Sequence, residues 1–144
     1  MNVVCAEKQE LADIYQLEHT LFGDHAYPQF FFRQAFDCWG KGLLVAKQDS
    51  QVAGYVLMTP TDKPQEYWVL SLAVDKEFRG MGVGRLLMQQ AIATLPQESK
   101  ILLTVDPNNT SACALYASMG FVTIKEEDNY FGEDEPRLVM QIII

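Results

Sequence analysis

Residues 79 to 85 read Arg-Gly-Met-Gly-Val-Gly-Arg, with glycine at every second position and an arginine at each end. Glycine lets a backbone turn its N–H groups inward and approach a ligand closely. An apolar, β-prone run from Tyr67 to Val74 feeds this segment. A helical pattern leaves it, with Val83, Leu86, Leu87, Ala91 and Leu95 on one face and Pro96 as its stop. The start of a helix adds N–H donors and a partial positive charge, about 0.3–1 kcal/mol for each anion contact. The arginines add full charges. The combination describes a pyrophosphate cradle; the alternative is a glycine-rich turn that holds no ligand. Two common cradles fail on spacing. A dinucleotide fingerprint needs glycine at position 85, which is Arg85, and a Walker loop ends in Gly-Lys-Ser/Thr, which is absent.

Composition narrows the class. The chain has 144 residues, 49% of them hydrophobic and 21% charged, enough for one domain over 1–144 with its own core. A net charge of −8 argues against a nucleic-acid surface, which needs basic residues to neutralise phosphates. No apolar run approaches the roughly 18 residues of a membrane span, and Met1 to Lys8 lacks the pattern of a signal peptide. Cys5, Cys38 and Cys113 are odd in number and lack metal-ligand spacing, so reduced thiols, no metal site and a cytoplasmic protein are expected. Glu126, Glu127, Asp128, Glu133, Asp134 and Glu135 fall within ten residues that carry no basic side chain. They read as a solvated loop or as a rim that attracts a cationic substrate.

The elements that must position these residues follow from periodicity and turn signals. Asn2 to Ala6 is a short strand. Glu10 to Phe22 is a helix with Leu11, Ile14, Tyr15, Leu17, Leu21 and Phe22 on one face, broken by Gly23-Asp24. Pro28 opens a second helix that Gly40 and Gly42 end. Leu43 to Ala46 and Val52 to Met58 form a hairpin about Asp49-Ser50. After the cradle helix come a strand from Ile101 to Val105 and a helix from Asn109 to Met119 closed by Gly120. Two last strands, Phe121 to Lys125 and Leu138 to Ile143, flank the acidic loop. The order β-α-α-β-β-β-α-β-α-β-β, without repeat or linker, indicates one mixed α/β domain.

Arg79-x-x-Gly82-x-Gly84 after a strand resembles the Arg/Gln-x-x-Gly-x-Gly/Ala signature of the GNAT acetyltransferases. A second segment strengthens the likeness. Leu103-Thr-Val-Asp-Pro-Asn-Asn109-Thr-Ser-Ala-Cys-Ala-Leu115-Tyr116-Ala-Ser-Met-Gly120-Phe121 resembles the family's Asn…Ala-Leu-Tyr…Gly-Phe stretch in spacing and in place. The likeness runs through nearly the whole chain. It extends in particular to the bacterial ribosomal-protein alanine N-acetyltransferases, through Asn129-Tyr130-Phe131 and a Leu17-Glu18 helix leading to Tyr27-Pro28. The resemblance implies a mostly antiparallel twisted sheet of about seven strands flanked by about four helices.

The resemblance also implies roles. Acetyl-CoA would be the cosubstrate, its pantetheine arm paired with the backbone of Leu72, Ala73 and Val74. Its phosphates would lie on the N–H groups of Gly80, Met81, Gly82, Val83, Gly84 and Arg85, beside Arg79. Asn109 would reach the cofactor or, alternatively, cap a helix. Tyr116 would hydrogen-bond to the leaving thiolate and protonate it, or serve as a core aromatic. Where these relatives carry a glutamate as base, the chain has Thr104, which cannot take a proton. Glu18 or Asp106 could substitute, against a plain role on the solvated surface. Tyr130 would line the acceptor site or sit at a hairpin edge. Cys113, near the cofactor helix, reads as a small core thiol. The expected reaction moves acetyl onto a primary amine by direct attack, the N-terminal α-amine of a basic protein or peptide being favoured. Two alternatives are a small-amine acetyltransferase, acting on a polyamine, amino acid or aminoglycoside, and a CoA-binding sensor without turnover. Monomer and homodimer are both open.

Overall fold

A computed structural model describes all residues from 1 to 144. Seven strands and four α-helices alternate in the expected order. The strands are β1 (Asn2–Cys5), β2 (Leu43–Gln48), β3 (Gln51–Pro60), β4 (Glu66–Val74), β5 (Lys100–Val105), β6 (Val122–Glu127) and β7 (Arg137–Ile143). The helices are α1 (Leu11–Phe22), α2 (Gln29–Trp39), α3 (Val83–Ala93) and α4 (Thr110–Ser118). The strands make one sheet in the order β1-β2-β3-β4-β5-β7-β6. The pairs β1–β2, β2–β3, β5–β7 and β6–β7 are antiparallel, and β4–β5 is parallel. This is the mostly antiparallel seven-stranded α/β architecture that the resemblance implies.

Two compact units share the chain. The first comprises Met1–Thr59 and Ser71–Leu95. Its core joins Ile14 and Leu17 of α1, Phe32 and Ala35 of α2, Leu43 to Ala46, Ala53 to Met58, and Val83, Leu87 and Met88 of α3. β2 buries four successive residues, Leu43 to Ala46, and so reads as a continuous apolar run. The β2–β3 turn needs a left-handed residue, supplied by Asp49 at φ 56. Gly42 is compulsory for a different reason: a Cβ there would lie 1.8 Å from the Met58 carbonyl oxygen.

The second unit comprises Pro60–Leu70 and Pro96–Ile144. Ile101, Leu103, Val105, Tyr116, Phe121, Val139 and Met140 form its core. β5 pairs with β7 from Lys100↔Ile143 to Val105↔Leu138, and β6 follows with a register shift between Thr123 and Lys125. Gly120 closes α4 at φ 101, as its position predicts.

Several boundaries differ from expectation by one or two residues, and two of the differences have a clear consequence. α3 stops at Ala93 rather than running to Pro96, because the residue before a proline is driven out of helical geometry and Thr94 hydroxyl instead bonds Ala91 carbonyl at 2.8 Å. β6 continues through Glu127, so Glu126 and Glu127 belong to the strand and only Asp128 onward to the loop. The three cysteines are free, and no helix is long and apolar enough to cross a membrane.

Candidate functional site

In the first unit, β4 ends by bonding Asp75 N–H to the Ala53 carbonyl at 2.8 Å. Asp75 then accepts the Glu77 N–H at 3.0 Å, which winds Lys76–Phe78 into one tight turn. The chain reverses through Gly80 at φ 78 and Gly82 at φ 77, both left-handed, and α3 starts at Val83. A Cβ at either glycine would meet nothing within 4 Å, so neither is there for packing. Their positive φ is the requirement, and the space beside them is open. No side chain caps α3, and the first N–H bonded inside it is that of Leu86, to the Gly82 carbonyl at 3.0 Å. Arg79 and Arg85 are exposed at the two ends. Open space beside left-handed glycines, an uncapped helix start and two cations fit a pyrophosphate, so Gly80 to Arg85 is suited to hold the phosphates of acetyl-CoA.

The strand before this loop is built with equal closeness. Ala73 is buried, Leu72 and Val74 half-buried. A Cβ on Gly54 of β3 would stand 2.7 Å from the Ala73 carbonyl oxygen, so glycine is needed for β3 to approach. Beside this segment lies a group that sequence reasoning did not assemble. Glu18 of α1 is only 2% exposed. Its carboxylate accepts the hydroxyl of Tyr55 (β3), the Ser71 hydroxyl (β4) at 3.0 Å and the Tyr27 N–H at 2.9 Å. Tyr55 hydroxyl also lies 2.7 Å from Ser71 Oγ. Burial and the neighbouring Glu18 charge push the Tyr55 phenol far above its ordinary range. The surface role weighed for Glu18 is therefore wrong. The missed signal was positional: residue 18 follows Ile14 by four and falls on the buried stripe of α1.

The second unit carries the remaining expected residues. Asn109 caps α4, its Oδ1 accepting the Ala112 N–H at 3.1 Å. Tyr116 is 7% exposed and sets its ring edge-on to Phe121 at 5.8 Å. Its hydroxyl has no partner in the chain, and because no buried polar side-chain atom lacks one, that hydroxyl reaches the surface. Burial, followed by the Cys113 thiol, pushes Tyr116 up to about 12. Cys113 itself is half-buried, with Sγ 3.7 Å from the Asp106 carbonyl, and Asp106 is exposed. Thr104 is half-buried opposite Val139.

At the β6–β7 hairpin, the Asn129 side chain accepts the Asp134 N–H at 3.0 Å and shapes the loop. Tyr130 packs against Phe131, and burial with Glu127 nearby raises its phenol. Arg137 covers the Phe131 ring at 5.0 Å and pairs with Glu135 at 3.5 Å. Lys125 pairs with Glu127 at 2.7 Å. The six acids of this window thus divide: Glu127 and Glu135 are matched by cations, whereas Glu126, Asp128, Glu133 and Asp134 are exposed.

Comparison with known proteins identifies the family. Residues 8–121 match the family model described as the acetyltransferase (GNAT) family, a span that runs through both units. An N-alpha-acetyltransferase of Sulfurisphaera tokodaii is 26% identical over 128 residues, covering 79% of this chain and 76% of its own. The N-alpha-acetyltransferase RimI of Mycobacterium tuberculosis is 28% identical over 119 residues, covering 81% of this chain and 75% of its own. Among solved structures, the ribosomal-protein-S18-alanine N-acetyltransferase of Escherichia coli superposes with a TM-score of 0.84 over 99% of this chain and 93% of that one, at 22% identity. That last likeness is one of fold.

Proposed function

The chain belongs to the acetyltransferase (GNAT) family and is an acetyl-CoA-dependent N-acetyltransferase, and from that premise we propose that its acceptor is the N-terminal α-amine of a basic protein or peptide. The observation that carries the reading is the likeness, over about four-fifths of the chain, to proteins named for α-amine acetylation. The four exposed carboxylates of the β6–β7 hairpin support the preference for a cationic partner. Tyr130 lines the acceptor in this reading.

When bound, acetyl-CoA supplies an acyl group activated as a thioester. The chain's part is to hold and to protonate. Gly80 to Arg85 offer N–H donors to the phosphates, with Arg79 alongside, and Leu72 to Val74 present peptide groups to the pantetheine arm. Asn109 keeps its Oδ1 on the helix cap, which leaves its amide N–H groups for the cofactor. Tyr116 holds a proton at its hydroxyl throughout neutral pH. A phenol near 12 facing a thiolate of ordinary pKa 8.5 would give up that proton at a cost of about 5 kcal/mol. Tyr116 therefore acts first by donating a hydrogen bond to the sulfur. Full transfer becomes level only when the thiolate shares the desolvated setting, which raises its own pKa.

The test is competitive. A basic peptide with a free N-terminus and internal lysines is offered with acetyl-CoA, and the acetyl group is located by mass spectrometry. Modification at the α-amine is expected. Modification mainly on lysine, or none on peptides while a polyamine is acetylated readily, would refute the assignment.

A further inference from the structure

A carboxylate that is 2% exposed and holds three donors is an expensive way to fill a core. Apolar side chains of similar volume would pack the same space with no polar group to satisfy. What the acid adds is fixed geometry. Its four anchor points lie on four segments: α1 through Glu18 itself, the connection to α2 through the Tyr27 N–H, β3 through Tyr55, and β4 through Ser71. Ser71 immediately precedes Leu72, Ala73 and Val74. On the other side of that segment, the Asp75 N–H is tied to Ala53, next to the glycine that lets β3 close on Ala73. Aromatic contacts brace the same junction. Tyr27 stacks on Phe31 at 4.4 Å, and Phe32 meets Tyr55 edge-on at 5.6 Å.

We propose that Glu18 is a positioning residue for acetyl transfer. Through Ser71 and Tyr55 its carboxylate locks the backbone of residues 72 to 74, and through Tyr27 it locks the segment that joins α1 to α2. The inference rests on acetyl transfer and on β4 as the strand that receives the cofactor. It does not depend on which amine is acetylated. Misplacement of reacting groups by about 1 Å can lower turnover by about 10²-fold. Removal of a lock should therefore lower kcat while cofactor affinity holds.

The experiment uses Tyr55→Phe, Ser71→Ala and Ser71→Thr in the full chain, assayed on whichever amine the wild-type protein acetylates. Tyr55→Phe and Ser71→Ala each delete one hydroxyl and keep the surrounding volume, whereas Ser71→Thr keeps the hydroxyl. The expected result is a kcat about tenfold lower for Tyr55→Phe and Ser71→Ala, with acetyl-CoA Kd by calorimetry within about twofold of wild type, and recovery of kcat in Ser71→Thr. Glu18→Gln, where it folds, should lose more than either, because its amide presents N–H groups to donors. Unchanged kcat in folded Tyr55→Phe and Ser71→Ala would overturn the proposal. So would a loss confined to Kd, which would make the network a support for binding alone. If wild type acetylates lysine or a polyamine, the acceptor assignment fails while this test stays intact.

Discussion

Gly82 separates backbone conformation, charge and ligand space in a single position. It stands at φ 77 before the first residue of α3, with nothing within 4 Å of a Cβ built on it. Asparagine and aspartate have nearly the same volume, and both visit the left-handed region more readily than other residues. Gly82→Asn therefore reports the effect of filling the open space, and Gly82→Asp adds only a negative charge. A carboxylate about 4 Å from a phosphate oxygen is repelled by about 1 kcal/mol if water screens fully, and by about 4 kcal/mol at the effective dielectric of a protein surface. Since about 1.4 kcal/mol is a tenfold change, Gly82→Asp should bind acetyl-CoA at least tenfold more weakly than wild type. It should also bind more weakly than Gly82→Asn, and that gap should narrow as salt rises. Stability should run the other way. A negative charge at the start of α3 is favourable by about 0.3–1 kcal/mol, so Gly82→Asp should melt no lower than Gly82→Asn. Isothermal calorimetry and thermal melts measure both quantities. Equal affinity for the Asp and Asn variants, both folded, would mean that no phosphate lies on this loop.

Tyr116→Phe should lower turnover by about 10²-fold, at the low end of general-acid effects because the phenol near 12 is a reluctant donor. Acetyl-CoA affinity should change little, and full turnover in a folded variant with chemistry rate-limiting would remove the acid role. Gly42→Ala brings a methyl to 1.8 Å from a backbone oxygen that cannot swing away. It should lose several kcal/mol of stability, read as a large drop in melting temperature or in soluble yield. Alkaline titration followed by phenolate absorbance should find Tyr55, Tyr116 and Tyr130 ionising late among the six tyrosines. Tyr55 and Tyr116 have raised values when folded, so their contribution to stability is complete below about pH 10 and is lost as pH climbs through the folded values. Denaturant midpoints should fall over that window, and Tyr116→Phe should lessen the fall.

The elements were legible because local chemistry and tertiary packing agree on them. Apolar, β-prone runs placed all seven strands, helical periodicity and end signals placed all four helices, and Gly120 marked its helix end by the conformation only glycine adopts easily. The exposed turn at Gly80 and Gly82 was legible for a similar reason, since alternating glycines favour left-handed backbone. Asn109 was less determinate, because capping and ligand binding call for the same amide. The surface alternative for Glu18 was a misreading. Charge alone assigns a glutamate to solvent, and its burial depends on Tyr55 and Ser71, which lie 37 and 53 residues away. The pairing of Glu10 with Lys47 at 2.8 Å escaped in the same way. Partners so far apart become neighbours only through the sheet register. Neither period nor composition encodes them.

Thr104 ties the acceptor question to elementary acid–base chemistry. It is half-buried on β5 and offers a hydroxyl where a base would need a carboxylate. Unless Asp106 or Glu18 takes that place, the amine must arrive neutral or lose its proton to water. An α-amine of pKa about 7.7–8.0 is roughly one-quarter neutral at pH 7.4, whereas a lysine near 10.4 is about 0.1% neutral. Without a base, the two differ by more than two orders of magnitude before any contact with the protein is made. The exposed acids of the hairpin do not close that gap. They raise the local concentration of cations of either kind, and they favour the charged, unreactive form of both. On the proposal that the hairpin gathers basic chains, a threonine at position 104 is compatible with it only if the reacting nitrogen loses its proton easily. We therefore propose the α-amine of a basic chain, rather than its lysines, as the acceptor.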